Sequence, residues 1–191
     1  MNQTMPPISV IMPVLNEETH LPAAIAGIVS QDYPAPIEII LAIGPSDDRT
    51  TEIATRLADA DERIRIVENP AKTTPVGLNL AIAAASHDII IRVDAHGELC
   101  PGYVRTVVET LDRTGAANVG GLMKAVGVTP FERAVAAAYN SPVGLGGGSF
   151  HLENTPEGPA DTVFLGSFRA EALKRVGGFD ESLDRAQDWE L

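Results

Sequence analysis

Four clusters of residues in this chain have the types and spacing for chemistry. Asp94-Ala95-His96 follows directly on the apolar run Asp88 to Val93. A carboxylate and an imidazole two residues apart can reach one divalent ion, and that ion could neutralise a diphosphate. Imidazole favours Mn²⁺ over Mg²⁺, which prefers oxygen ligands. The plainer alternative is that Asp94 caps a turn and His96 lies on the surface. Ser46, Asp47 and Asp48, and likewise Asn16 and Glu17, follow two other apolar runs and are equally good helix caps and first-turn acids. Asp188 in Gln187-Asp188-Trp189-Glu190 offers a carboxylate that could act as a general base if a cleft lies beside it.

Two phosphate-binding signatures are absent. The loop Pro13-Val14-Leu15-Asn16-Glu17 contains none of the glycines of G-x-G-x-x-G, and no G-x-x-x-x-G-K-[ST] occurs. The glycine-rich stretch Gly144 to Gly148 lacks a strand-turn-helix setting and reads as loop.

The elements that must position these residues alternate. Ile8 to Met12, ended by Pro13, predicts a buried strand. Asn16-Glu17-Glu18 then predicts a helix start, with Leu21, Ile25, Ile28 and Val29 on one face. Ile37 to Ile43, Ile64 to Val67 and Asp88 to Val93 predict three more strands. Helices carry Ile53 and Leu57, then Pro75 to Ala85, then Val104 to Leu111, with Pro101 in the first turn of the last. Ala117 to Met123 and Val163 to Leu165 read as strands, Phe131 to Tyr139 and Arg169 to Val176 as helices. Residues 141–162 read as a flexible loop. The pattern predicts an α/β fold, a mainly parallel sheet with helices on both faces. Ligands of such sheets bind beyond the carboxyl ends of the strands, which here means residues 13–17, 44–48 and 94–96.

Composition narrows the partners. Fourteen Lys and Arg against 26 Asp and Glu give a net charge of −12, which argues against a nucleic-acid backbone as the main partner. The lone Cys100 forms no intramolecular disulfide, and no signal peptide or membrane-length apolar run is present. The 191 residues suit a single domain, and the abrupt end at Leu191 suggests that it is truncated at the C-terminus.

Taken in order, these segments resemble family 2 glycosyltransferases of the GT-A fold, a Rossmann-like arrangement. Ile8 to Glu18 is similar to their opening strand and loop. Asn69 to Asn79 is similar to the segment before their metal strand, and Arg92-Val-Asp-Ala-His96 to their D-x-D position. Gly166 to Arg169, Val176 to Glu181 and Gln187 to Leu191 are similar to their acceptor-side region and its E-D motif. Gly44-Pro-Ser-Asp-Asp-Arg-Thr50, the D-A-H triplet and Asp161-Thr-Val resemble the subgroup of succinoglycan biosynthesis protein ExoA.

The resemblance implies inverting transfer of a sugar from a nucleotide-diphosphate donor, most often a UDP-sugar, to an acceptor hydroxyl. Pro13, Asn16 and Glu17 would line the nucleoside pocket, Ser46 and Asp48 would lie beside the base or ribose, and Lys72 would hold the base or diphosphate. Asp94 and His96 would bind a divalent cation, Mn²⁺ or Mg²⁺. Asp188 would deprotonate a glycan or lipid-linked acceptor. Where many relatives carry acids after the second strand, this chain has Ile43-Gly44, and Gln187 stands in the first place of the E-D motif. The resemblance places the protein in the cytoplasm, with the inner face of the cell membrane as the alternative position if residues beyond these attach it. A binding module of the same fold, without catalysis, is the competing reading. A sugar nucleotidyltransferase ranks last, because the first loop lacks glycine and arginine.

Overall fold

Seven residues, Ile-Ser-Val-Ile-Met-Pro-Val, form the central strand of the computed structural model, which describes residues 5–144 and 150–183. This is β1 (Ile8–Val14). After it come α1 (Leu21–Val29), β2 (Ile37–Ile43), α2 (Thr50–Ala60), β3 (Ile64–Glu68), α3 (Thr74–Ala84) and β4 (Ile89–Arg92). The remainder is α4 (Tyr103–Thr114), β5 (Asn118–Gly121), α5 (Pro130–Tyr139), β6 (Phe164–Arg169) and α6 (Ala170–Val176). The sheet order is β3-β2-β1-β4-β6-β5. The first four of these run parallel, β6 is antiparallel to β4, and β5 is antiparallel to β6.

The inner strands are apolar on both faces, so their two sides build two cores. Val10, Met12, Val14, Ile39, Leu41 and Ile91 join Leu21, Ile25 and Ile28 of α1 and Val104, Val108 and Leu111 of α4. Ile11, Ile40 and Ile90 face the other way, against Leu78 and Ala81 of α3 and Leu173 of α6. The expected mainly parallel sheet covered on both faces is therefore present.

Three of the boundaries that differ from the sequence reading have a local cause. Proline does not end β1, because alternate residues of a central parallel strand bond to alternate neighbours. Ile11 bonds toward β4 (Val93 N to Ile11 O, 3.0 Å) and Val14 toward β2 (Gly44 N to Val14 O, 2.9 Å). Pro13 faces the β4 side, one step beyond the last paired residues Ile11 and Arg92, so its missing N–H costs no ladder bond. The first helix starts at Leu21 rather than Asn16, whose φ of 57° is left-handed and cannot begin a helix. Pro101 lies just ahead of α4 rather than within it. Left-handed Gly102 precedes the helix, and the buried Gln31 side chain accepts from Val104 N (3.2 Å) and donates to Cys100 O (3.0 Å).

At the opposite end of the sheet, Glu38 collects the Ser9 hydroxyl, the Ser86 N–H (2.6 Å) and the Ser86 hydroxyl (3.1 Å). Burial pushes its carboxyl up, but these hydrogen bonds outweigh that and hold it below the usual range. Such a group contributes stability above its unfolded value, about 4.3, and loses it as pH falls through the lower folded value. Glu38→Gln is expected to cost about 1–3 kcal/mol at pH 7. It should also narrow the gap between melting temperatures at pH 7 and pH 3, which a pair of calorimetric scans would measure.

Candidate functional site

The carboxyl ends of β1, β3 and β4 open onto a cavity of about 270 Å³. Its wall contains Pro13, Glu17, Lys72, Asp94 and His96, five of the residues singled out from sequence. Leu15, Asn69, Thr73, Thr74 and Arg92 complete much of the rest.

Two loops are laced together beside it. The Asn16 N–H donates to Ser46 Oγ (3.0 Å), and Asn16 Oδ1 accepts from Asp47 N (2.8 Å). Glu17 N donates to Thr50 Oγ1 (2.7 Å) and Glu18 N to Asp48 Oδ2 (3.1 Å). Asp48 Oδ1 takes the N–H of Thr50 (2.9 Å) and its hydroxyl. The Thr50 hydroxyl in particular holds the Asp48 carboxyl below the usual carboxylate range. Asn16, Ser46 and Asp48 thus brace the two loops and do not line the cavity. The chain makes its sharp exit from β2 at Gly44, where a Cβ would lie 2.9 Å from Leu15 Cδ1.

The bracing aims Glu17 inward. Its Oε1 lies 2.8 Å from His96 Nδ1, and its Oε2 lies 3.2 Å from His20 Nδ1. The three-residue spacing of Glu17 and His20 is the sequence signal for this pair. When Nδ1 of His96 carries the proton toward Glu17, Nε2 presents its lone pair, the usual carboxylate–histidine arrangement behind a metal ligand. Asp94 is held on its other side: Arg92 Nε meets Oδ1 at 3.1 Å. A carboxylate has a second oxygen, and that is the one a cation would take. Among the described residues no three His, Cys, Asp or Glu side chains converge to hold a metal. Asp94 and His96 lie on one cavity wall, so a cation held by this pair would take its remaining ligands from diphosphate and water, as hard divalent ions do beside phosphates.

Across the cavity, the β3–α3 loop is set by Asn69. Its N–H bonds to Ile43 O (2.8 Å) and its amide to Thr73 O (3.0 Å), while Lys72 takes a φ of 63°. Gly77 on α3 makes room, since a Cβ there would fall 2.7 Å from Asn69 Nδ2. Asn69 Oδ1 and Thr73 Oγ1 are buried without a hydrogen-bond partner among the described residues, so the wall holds unused polar capacity.

Arg92 also ties the site to a distant turn. Its buried guanidinium sits 5.9 Å above the centre of the Phe179 ring. Phe179 is gripped in turn by Asn79 of α3, whose Oδ1 takes its N–H and whose Nδ2 donates to its carbonyl, both at 2.9 Å. Gly178, with a φ of 83°, allows this approach, because a Cβ would lie 2.5 Å from Asn79 Oδ1. Asn79→Ala leaves both backbone groups without that partner and is expected to cost about 1–3 kcal/mol in urea unfolding. Asp188, read from sequence as the base, lies outside the described residues beyond this turn. So do residues 145–149 of the long loop. Within its described part, Phe150 stacks on Phe164, and Arg113 pairs with Glu157 at 2.7 Å.

Residues 9–175 match the description Glycosyl transferase family 2. The chain belongs to that family. The succinoglycan biosynthesis protein ExoA of Rhizobium meliloti (strain 1021) is 38% identical over 184 residues, which are 95% of this chain and 56% of that protein. A Methanococcus voltae dolichyl N-acetyl-alpha-D-glucosaminyl phosphate 3-beta-D-2,3-diacetamido-2,3-dideoxy-beta-D-glucuronosyltransferase is 28% identical, covering 96% of this chain and 60% of that one. This family 2 chain therefore spans less than two thirds of the length of these curated relatives. Among solved structures, the mannosyltransferase PcManGT of Pyrobaculum calidifontis, in complex with GDP-Man and Mn²⁺, superposes with a TM-score of 0.73. Its sequence identity is 21%, over 96% of this chain and 50% of that one. S. aureus TarS 1-349 gives 0.70 at 18%, over 95% and 52%. These likenesses establish the GT-A fold. No helix among the described residues is long and apolar enough to cross a membrane.

Proposed function

We propose that this family 2 domain binds a nucleotide-diphosphate sugar and transfers the sugar, with inversion, to an acceptor hydroxyl in exopolysaccharide or cell-surface glycan synthesis. The observation that carries this reading is the single cavity wall shared by Glu17, Lys72, Asp94 and His96. It sets one cationic side chain and a cation-binding pair around a space suited to a diphosphate. Pro13 closes the floor at the end of β1. Lys72, on its strained loop, reaches the base or the phosphates. Asp94, held by Arg92, and His96, held by Glu17, would hold a Mn²⁺ or Mg²⁺ ion. When bound, such a cation would supply positive charge beside the departing nucleoside diphosphate. Asp188 takes the proton from the acceptor as its oxygen attacks the anomeric carbon from the opposite side.

The fold neighbours support a nucleotide donor, since TarS is known with UDP and with UDP-GlcNAc and PcManGT with GDP-Man and Mn²⁺. ExoA supports an exopolysaccharide product. A Campylobacter jejuni relative, 33% identical over 61% of this chain, is named a GalNAc(5)-diNAcBac-PP-undecaprenol beta-1,3-glucosyltransferase. That name supports a lipid-linked acceptor. UDP is the first donor to test, although Gly44 stands where many relatives have an acid and the Asp48 carboxylate is engaged with Thr50 and Glu18. These two facts also favour a second reading, a module that binds the donor without transferring it.

Melting curves with UDP, GDP, ADP and TDP, each with and without Mn²⁺, test the site. A nucleotide at 100 times its Kd should raise the melting temperature by about 5–10 °C. A rise that needs Mn²⁺ names the donor; flat curves for all four reject the nucleotide site. Donor hydrolysis or transfer would exclude the binding-module reading.

A further inference from the structure

We infer that Phe179 is a positioning residue for the cation site. Its ring holds the Arg92 guanidinium in a plane from which it takes one oxygen of Asp94 and leaves the other to a divalent ion. This rests on the cation-binding reading of Asp94 under the proposed function. It adds to that reading a residue far along the chain that does not line the described cavity.

An arginine beside a carboxylate has two ways to bind it. Its rigid fork of N–H groups can grip both oxygens at once, which is the stronger arrangement. It can also reach one oxygen from the side. Here the bond runs from Nε of Arg92 to Oδ1 of Asp94, at 3.1 Å. The difference decides what Asp94 can do. A forked pair would offer both oxygens to the arginine, and a divalent ion would have to compete with a guanidinium at either. The side-on pair orients the carboxylate and keeps Oδ2 for the ion.

The Phe179 ring maintains the side-on pair. The guanidinium carbon lies 5.9 Å from the ring centre, and both side chains are buried. Because the guanidinium is planar, turning its fork toward Asp94 would take it off this face, and a desolvated cation–π contact opposes that. The ring is itself fixed. The Asn79 amide holds the Phe179 backbone from both sides, and its Nδ2 also reaches Glu181 Oε1 at 2.9 Å. Phe168 meets the ring edge-on, with centres 6.2 Å apart and planes at 86°. Left-handed Gly177 and Gly178 bring the chain to this point. Any apolar side chain of similar volume would fill the space. An aromatic ring alone offers a face to a cation.

The test is Mn²⁺ titration of the 191-residue chain, followed by spin resonance, in a double-mutant cycle. Phe179→Leu keeps an apolar filling and removes the face. It should weaken Mn²⁺ binding by about fivefold to thirtyfold, the worth of a buried cation–π contact. Asn79→Ala frees the Phe179 backbone, leaves the ring, and should weaken binding in the same direction. Circular dichroism checks that each variant is folded; should Phe179→Leu not fold, Asn79→Ala decides alone. Arg92→Lys keeps a positive charge for Oδ1 but has no fork to close. In that background either substitution should change the affinity by less than about twofold. A packing fault would weaken binding equally in both backgrounds.

Wild-type affinity in Phe179→Leu, or the same loss in both backgrounds, overturns the inference. Asp94→Asn measured alongside keeps two failures apart. Mn²⁺ binding that Asp94→Asn abolishes and Phe179→Leu leaves intact rejects the role of Phe179 alone. A wild-type chain that takes up no Mn²⁺ rejects the cation site with it.

Discussion

Asp94→Asn should remove the Mn²⁺-dependent part of nucleotide stabilisation while the protein stays folded. The choice of asparagine matters. Asp94→Ala takes away the carboxylate that meets the buried Arg92 guanidinium, and breaking such a pair costs about 3–5 kcal/mol by itself. Asparagine keeps an oxygen for Arg92 and loses the charge that a divalent ion needs. Disturbing even the groups behind a metal ligand weakens binding by about 10–100-fold, so replacing the ligand should reach at least the upper end of that range. Mn²⁺ titration followed by spin resonance gives the affinity, and melting curves with UDP give the linked stabilisation. Unchanged Mn²⁺ affinity in the variant would reject Asp94 as a ligand and leave His96 and Glu17 as an ordinary ion pair.

Asp188→Asn should do the reverse. Nucleotide stabilisation should stay as in the wild type, because a general base acts on the acceptor hydroxyl and not on the donor's nucleotide. Sugar transfer, read as acceptor-dependent release of the free nucleotide, should fall by about 10²–10⁴-fold, the usual contribution of a general base. A variant that turns over at the wild-type rate would move the base elsewhere. The pair of variants separates donor binding from chemistry, since one loses the ion-dependent step and the other loses only the proton transfer.

Much of the architecture is written in the local pattern. β2 spans Ile37–Ile43 as the run predicts, because a strand covered on both faces is apolar along its length save for Glu38 near its start. β6 is less legible. Phe-Leu-Gly-Ser-Phe-Arg mixes glycine and serine into the run, and pairing on both sides, with β4 and β5, extends it to Arg169. The start of α1 is easily misplaced because Asn16 and Glu17 are good capping types, yet their backbone N–H groups bond to Ser46 and Thr50 in the neighbouring loop. The same lacing explains why Asn16, Ser46 and Asp48 stand outside the cavity that Pro13, Glu17, Lys72, Asp94 and His96 share. Arg92 reads as the polar end of a strand, and Asn79 as one helix residue among others. Their partners Asp94 and Phe179 give them meaning, and the second lies a hundred positions beyond Asn79.

The position of β6 between β4 and β5 has a consequence for the order of assembly. As the polypeptide leaves the ribosome, β1 to β4 can pair from residues 8–92 alone, and their local crossovers make this the early event. β5 emerges next but finds no partner until residues 164–169 follow it. Throughout that interval Ile89, Ile90 and Ile91 present an open strand edge. A nascent chain that stalls before Phe164 would expose a sticky isoleucine ribbon, and the late arrival of β6 is the step that seals it.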